Sequence, residues 1–144
     1  MFASMHGRIA RADGVLQLEK LTLVTGRGET TLNIEIAQTL EQKAKGLMFR
    51  KQLADDAGML FPYGEPQEIT MWMKNTFIPL DMVFIRADGE VASIAKNAQP
   101  QSLAIISSGV RVRAVLELNA GEADAMGLKP GDRVKHKLFK PKAD

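Results

Sequence analysis

The strongest constraint in this chain is a two-residue rhythm that keeps restarting. Apolar and polar residues alternate in short runs, and glycine, proline or an Asp-Gly pair breaks each run before it reaches helical length. Leu32, Ile34 and Ile36 alternate with Asn33, Glu35 and Ala37, so residues 21–24 and 30–37 predict a hairpin about Thr25-Gly26-Arg27-Gly28, with one face buried. Residues 80–86 and 90–94 predict a second hairpin, with Asp88-Gly89 as its two-residue turn. Residues 111–118 alternate too, and the pattern points Val112, Ala114, Leu116 and Leu118 inward. The turn Lys129-Pro130-Gly131-Asp132 leads into an expected last strand over residues 133–138.

The period changes clearly only once. Thr39-Leu40-Glu41-Gln42 fits a capping box, and Leu40, Ala44 and Leu47 share a face at helical spacing. One short helix is expected over residues 40–49, weakened slightly by Gly46. Gly58, Pro62, Gly64 and Pro66 around Met59-Leu60-Phe61 predict a brief strand entering an irregular loop, with strand character resuming over 69–74. Pro79 requires a turn or bulge over 75–79, because it lacks the amide a central strand uses. Residues 100–109 read as a connection, and 121–126 as one helical turn closed by Gly127. The expected fold is mostly β: a compact antiparallel β-sandwich or barrel-like sheet with one short α-helix packed on it. Residues 1–18 are a loose lead-in, 19–140 a single β-rich domain and 141–144 a tail.

Composition narrows the chemistry. At 144 residues, with 45% hydrophobic and 25% charged residues, the chain is long enough for one core and unlike a disordered segment. No apolar run approaches membrane-spanning length, so no membrane span is expected. The absence of cysteine removes disulfides, thiolate metal sites and cysteine nucleophiles together. His6 falls in the lead-in and His136 alternates with lysines on a strand that reads as surface-facing, which disfavours Ser-His catalysis and zinc. The net charge is +2, with a basic end carrying Lys129, Arg133, Lys135, Lys137, Lys140 and Lys142. No aromatic platform interleaves those cations beyond Phe139, so a solvated end is expected rather than a nucleic-acid face. Gly26-Arg27-Gly28 lacks the rest of a dinucleotide fingerprint, and there is no phosphate-loop pattern. No cofactor and no metal are expected.

Residues 71–82 gather the only tryptophan, three methionines, Lys74, Asn75, Thr76 and Asp81. With Lys45-Gly46-Leu47-Met48-Phe49-Arg50, Gly58-Met59-Leu60-Phe61, Trp72-Met73-Lys74-Asn75-Thr76, Pro79-Leu80-Asp81, the run Val115-Leu116-Glu117-Leu118-Asn119-Ala120-Gly121 and Gly131-Asp132, the chain resembles the domain of unknown function 192 family from about Leu21 to Lys137. The resemblance implies a compact β-rich fold from bacteria or archaea that often follows an export signal, with no established activity. An exported or periplasmic place is the expectation it carries, although residues 1–14 do not read as a signal peptide. Lack of cysteine fits the cytoplasm equally well.

Asp81 lies beside Val83 and Ile85 on a half-buried strand, where an ionised carboxylate needs partners. Lys74, Arg113 or the amides of the Asn75-Thr76 turn are candidates. Glu117 and Asn119 fall on the outward phase of their strand with Arg111 and Arg113, a pair spaced to hold an anion or to meet acidic neighbours across the sheet. In one arrangement Asp81 and Asn75 tie a turn to a strand end while Glu117 meets a strand cation. In the other, Trp72, Lys74, Asn75, Asp81, Glu117 and Asn119 surround one cleft for a small polar ligand or an extended peptide, with Trp72 as a flat platform. A hydrolytic alternative makes Asp81 and Glu117 acid and base, with Lys74 assisting an oxyanion. A third option is a cuprous site from Met48, Met59, Met71, Met73 and Met82, set against ordinary core filling by the same side chains.

Overall fold

The alternating runs pair edge to edge into one sheet. The computed structural model describes residues 16–142. Its strands are β1 (Gln17–Thr25), β2 (Gly28–Ile36), β3 (Ala57–Met71), β4 (Leu80–Ile85), β5 (Val91–Ala98), β6 (Ile106–Asn119) and β7 (Arg133–Lys135). Helix α1 (Leu40–Lys45) follows β2, and helix α2 (Glu122–Met126) follows β6. The strand order is β5-β4-β6-β3-β2-β1-β7. Every pair is antiparallel except β2 with β3, which run parallel across the crossover that carries α1.

The sheet curls into a half-barrel whose two edges meet at one end. There the amide of Val91 donates to Asp132 and that of Val134 to Gly89, each at 2.8 Å. Gly89 has φ 92°, and a Cβ on it would lie 2.6 Å from the Val134 carbonyl oxygen. A side chain there would force the edges apart. The concave face holds one core around Leu21, Leu23, Ile34, Leu60, Val83, Ile85, Leu116 and Phe139. The opposite face holds a second, built from Leu47, Met59, Phe61, Met73, Leu80, Met82, Phe84 and Val115. No helix among the described residues is long and apolar enough to cross a membrane.

The mostly β, barrel-like expectation is borne out, as is the first hairpin, with Thr25 opposite Gly28. Several local expectations are corrected. The second hairpin closes through residues 86–90 instead of a two-residue turn: the Arg86 amide donates to the Glu90 carbonyl at 2.8 Å, the Gly89 amide to the Arg86 carbonyl at 3.0 Å, and Asp88 Oδ1 accepts from the Glu90 amide. Residues 57–71 are one continuous strand where a brief strand and loop were expected. Pro62 is tolerated because β2 stops pairing at Leu60, and the register shift after Pro62 absorbs the turn residues.

Helix α1 has the expected capping box, Thr39 Oγ1 accepting from Gln42 N and the Gln42 side chain accepting from Thr39 N. It ends at Lys45, since Gly46 turns to φ 49° and lets the chain pack on the Phe61 ring. Leu40 is therefore 86% exposed, and of the expected stripe only Leu47 is buried. Strand β6 begins at Ile106, inside the expected connection. Val112 joins the second core instead of the concave one, and β7 ends at Lys135. Beyond it the chain turns inward: His136 Nε2 meets Glu19 at 2.6 Å with its side chain only 6% exposed, so it is not surface-facing. Residues 1–15, with His6, and residues 143–144 lie outside the described residues; Gln17 and Leu18 of the expected lead-in begin β1.

Gly89→Ala is expected to lower unfolding stability by about 1–3 kcal/mol through that close approach. Gly109→Ala, also at positive φ but with nothing within 4 Å of its added Cβ, serves as the comparison. Urea denaturation of both separates backbone strain from the steric contact, and the Gly89 variant is expected to lose more.

Candidate functional site

Strand β4 is buried at all six positions, and the end of β6 from Ala114 to Leu118 is buried on both faces. Two carboxyl groups sit in that doubly covered region. Their register separates them: Asp81 is opposite Leu118, while Glu117 is flanked by Met59 of β3 and Met82 of β4. Residues paired across strands share a face, so Asp81 lies on the concave side with Val83 and Ile85, and Glu117 on the other.

Asp81 is 1% exposed and fully engaged. Its Oδ1 accepts from the Asn97 amide at 2.9 Å, and its Oδ2 from the amides of Gly121 at 3.1 Å and Ala123 at 3.0 Å. The N-cap residue of α2 is Gly121, which has no side chain to cap with. Asp81 supplies the missing cap from a neighbouring strand. None of the partners expected for it, Lys74, Arg113 or the Asn75-Thr76 amides, is used.

Asn75 and Asn119 are also ties. Asn75 adopts φ 53° and its carbonyl accepts from the Phe49 amide at 2.9 Å. Asn119 Nδ2 donates to the Leu53 carbonyl at 2.6 Å. Neither lines the cleft described next. Of the six expected ligand-binding residues, the structure brings Trp72 and Glu117 to one cleft, sets Lys74 beside the Trp72 ring outside the cleft lining, and spends Asn75, Asp81 and Asn119 on holding the chain.

That cleft has a volume of about 270 Å³ and opens beside the end of α1. Lys43, Lys45 and Met48 form one side, Met71 and Trp72 another, and Phe61, Tyr63, Thr70 and Thr76 continue the wall down to Glu117. Glu117 was expected on an outward phase next to a cation. It is instead 4% exposed, because α1 and the segment after β3 cover that face. Among the described residues no hydrogen bond to its carboxyl is formed, and neither oxygen is sealed from solvent, so the group opens into the cleft. Burial pushes its pKa up to about 8, which favours the neutral acid at pH 7.

Burial and the nearby Glu117 raise the Tyr63 phenol above its ordinary value. Lys43 Nζ lies 4.4 Å from the Tyr63 ring centroid, and burial followed by repulsion from Arg113 lowers its pKa. Arg113 is held by the Tyr63 carbonyl. Trp72 is 44% exposed, with Lys74 Nζ 5.2 Å from its ring centroid.

The sequence reading missed Tyr63, Lys43, Thr70 and Thr76. Tyr63 follows Met59 and Phe61 at two-residue spacing, a signal masked by Pro62, Gly64 and Pro66, which make the stretch after Phe61 read as an irregular loop. The methionines are mainly filler: Met59, Met73 and Met82 are enclosed in the second core, with Met71 packed against it. Three of the six cations of the basic end are paired, Lys135 with Glu29 at 2.9 Å, Lys137 with Glu19 at 3.2 Å and Lys142 with Asp88 at 3.8 Å.

Fold and site together define a curled β-sheet domain with a lateral cleft over one buried acid. The chain belongs to the DUF192 family, described as an uncharacterized ACR, whose model matches residues 22–136. It is similar to a crystal structure from Sinorhizobium meliloti 1021 described as that of a candidate transcription regulator. The identity is 46%, the match covers 86% of this chain and 97% of that one, and the TM-score is 0.84. It is also similar to a protein of unknown function from Novosphingobium aromaticivorans DSM 12444, at 41% identity over 85% of this chain and 88% of that one, with a TM-score of 0.83. No curated protein matches the chain.

Glu117 carries a pH signature in stability. Its pKa is about 8 when folded against 4.5 in an ordinary glutamate, so between those values the folded state keeps a proton the unfolded state has released. Its contribution is therefore complete below the lower value and falls as pH rises through the window, by at most about 1.4 kcal/mol per pH unit. Glu117→Gln removes this dependence. Denaturation at about pH 5, 7 and 9 is expected to show the variant gaining on the parent protein as pH rises.

Proposed function

We propose that the protein is a non-catalytic binding module whose cleft over Glu117 takes a small polar ligand. The observation that carries this reading is the unpartnered Glu117 carboxyl facing the cleft. Its oxygens keep access to the cleft, so a ligand entering there can hydrogen-bond a group that no protein donor holds. In its neutral form the acid offers both a donor and an acceptor. Trp72 and Tyr63 add flat apolar surface, the usual complement to a few convergent polar groups in a ligand site. The modest volume favours a small molecule or one side chain of an extended peptide over a larger guest.

Paired-carboxylate hydrolysis loses its geometry, since Asp81 and Glu117 occupy opposite faces of the sheet and Asp81 is committed to three amides. The cuprous reading has three of its five methionines enclosed in a core. A regulator role, as described for the Sinorhizobium meliloti relative, draws limited support from the basic end as a nucleic-acid stripe, because three of its six cations are paired with Glu19, Glu29 and Asp88. We place the module outside the cytoplasm, as the family resemblance suggests, and fractionation of cells producing the natural chain checks this.

A fragment library screened by amide chemical shifts tests the binding reading. Ligands are expected to move the resonances of Tyr63, Thr70 and the Trp72 indole together. Trp72→Ala should weaken such ligands about tenfold while changing unfolding stability by less than about 1 kcal/mol, because the ring is already part exposed. Fragments that cluster elsewhere on the surface, or bind the variant equally well, would sink the reading.

A further inference from the structure

The charges around the cleft are lopsided. Among the described residues Lys43, Lys45 and Lys74 have no carboxylate partner within salt-bridge distance, as is also true of Lys20, Lys51, Lys129 and Lys140, whereas Lys96, Lys135, Lys137 and Lys142 do. The only carboxyl lining the cleft is Glu117. Lys43 and Lys45 occupy the last turn of α1, where a cation complements the helix carbonyls. That accounts for their place on the helix but not for Lys43 sitting part-buried over Tyr63, in the repulsive field of Arg113, with no anion beside it.

We infer that the cleft selects small organic carboxylates with an apolar body, the carboxylate meeting Lys43 and Lys45 and the body lying between Tyr63 and Trp72 above Glu117. This rests on the binding reading and adds the charge of the ligand to it. A carboxylate would supply the counter-charge that the two lysines lack, in a partly desolvated place where such a contact is stronger than in water. The flat faces of Tyr63 and Trp72 suit an aromatic or aliphatic body. Glu117 then meets whichever polar atom reaches the floor. A cationic ligand would face the two unpaired ammonium groups of Lys43 and Lys45.

Because Trp72 is the only tryptophan, its fluorescence reports on the cleft alone. The test titrates the whole protein at about pH 6.5 with three probes sharing one skeleton, 3-phenylpropanoate, 3-phenylpropanamide and 3-phenylpropylamine. The carboxylate is expected to bind about tenfold tighter than the amide, and the amine weakest of all. In the double variant Lys43→Gln, Lys45→Gln, checked for folding by circular dichroism, that preference should shrink to about twofold while the amide still binds. An amide or amine that matches the carboxylate in the unmodified protein overturns the anion inference and leaves the binding reading standing. If none of the three alters Trp72 emission or shifts the Tyr63 and Thr70 amides, both fall.

Discussion

Burial of one sheet on both faces is the constraint on which the rest of this structure depends. Strands β4 and β6 run side by side inside the sheet, with a concave core beneath them and a second core above. A strand covered on both sides has no solvated face on which to set a polar side chain without consequence. Each polar group in that region must find protein partners or be left for something that enters from outside.

Asp81 and Glu117 show the two outcomes side by side. One register position apart across the β4–β6 ladder, they point in opposite directions. Asp81 gathers amides from β5's end and from the start of α2, and so fastens the chain after β6 to the concave core. Glu117 has methionines on either side and an opening above it. Mere proximity in the fold would not separate the structural carboxyl from the candidate binding group. Their hydrogen-bond partners do.

Much of the fold is legible in the sequence where one force dominates locally. The period-two runs of β1 and β2, the capping box of α1 and the Gly127 stop after α2 all depend on neighbours in the chain, and each appears in the structure. The reading loses accuracy where tertiary pairing overrides local signals. Pro62, Gly64 and Pro66 look like loop residues, yet they ride in a long strand because β6 pairs on both sides of their register shift. Tyr63 was lost with them. Glu117 was read as exposed because alternation shows only that it lies opposite Leu116 and Leu118; whether that side is also covered depends on α1 and the segment after β3, which are remote in sequence. The residues around Trp72 were identified as unusual, but adjacency in sequence mixed true cleft residues with turn ties such as Asn75.

The strand order has a consequence for how the chain comes into being. β6, next to last among the strands in sequence, is inserted between β4 and β3 and is the piece that joins the two halves of the sheet. Until residues 106–119 have left the ribosome, the hairpin of β1 and β2 with β3, and the hairpin of β4 and β5, are separate fragments, each with an unpaired edge and an uncovered apolar face. Contacts of such long sequence separation form late and slowly. In a sheet of this order the hairpin of β4 and β5 can be joined to β1, β2 and β3 only once β6 is present, so the two parts meet through a strand made after both.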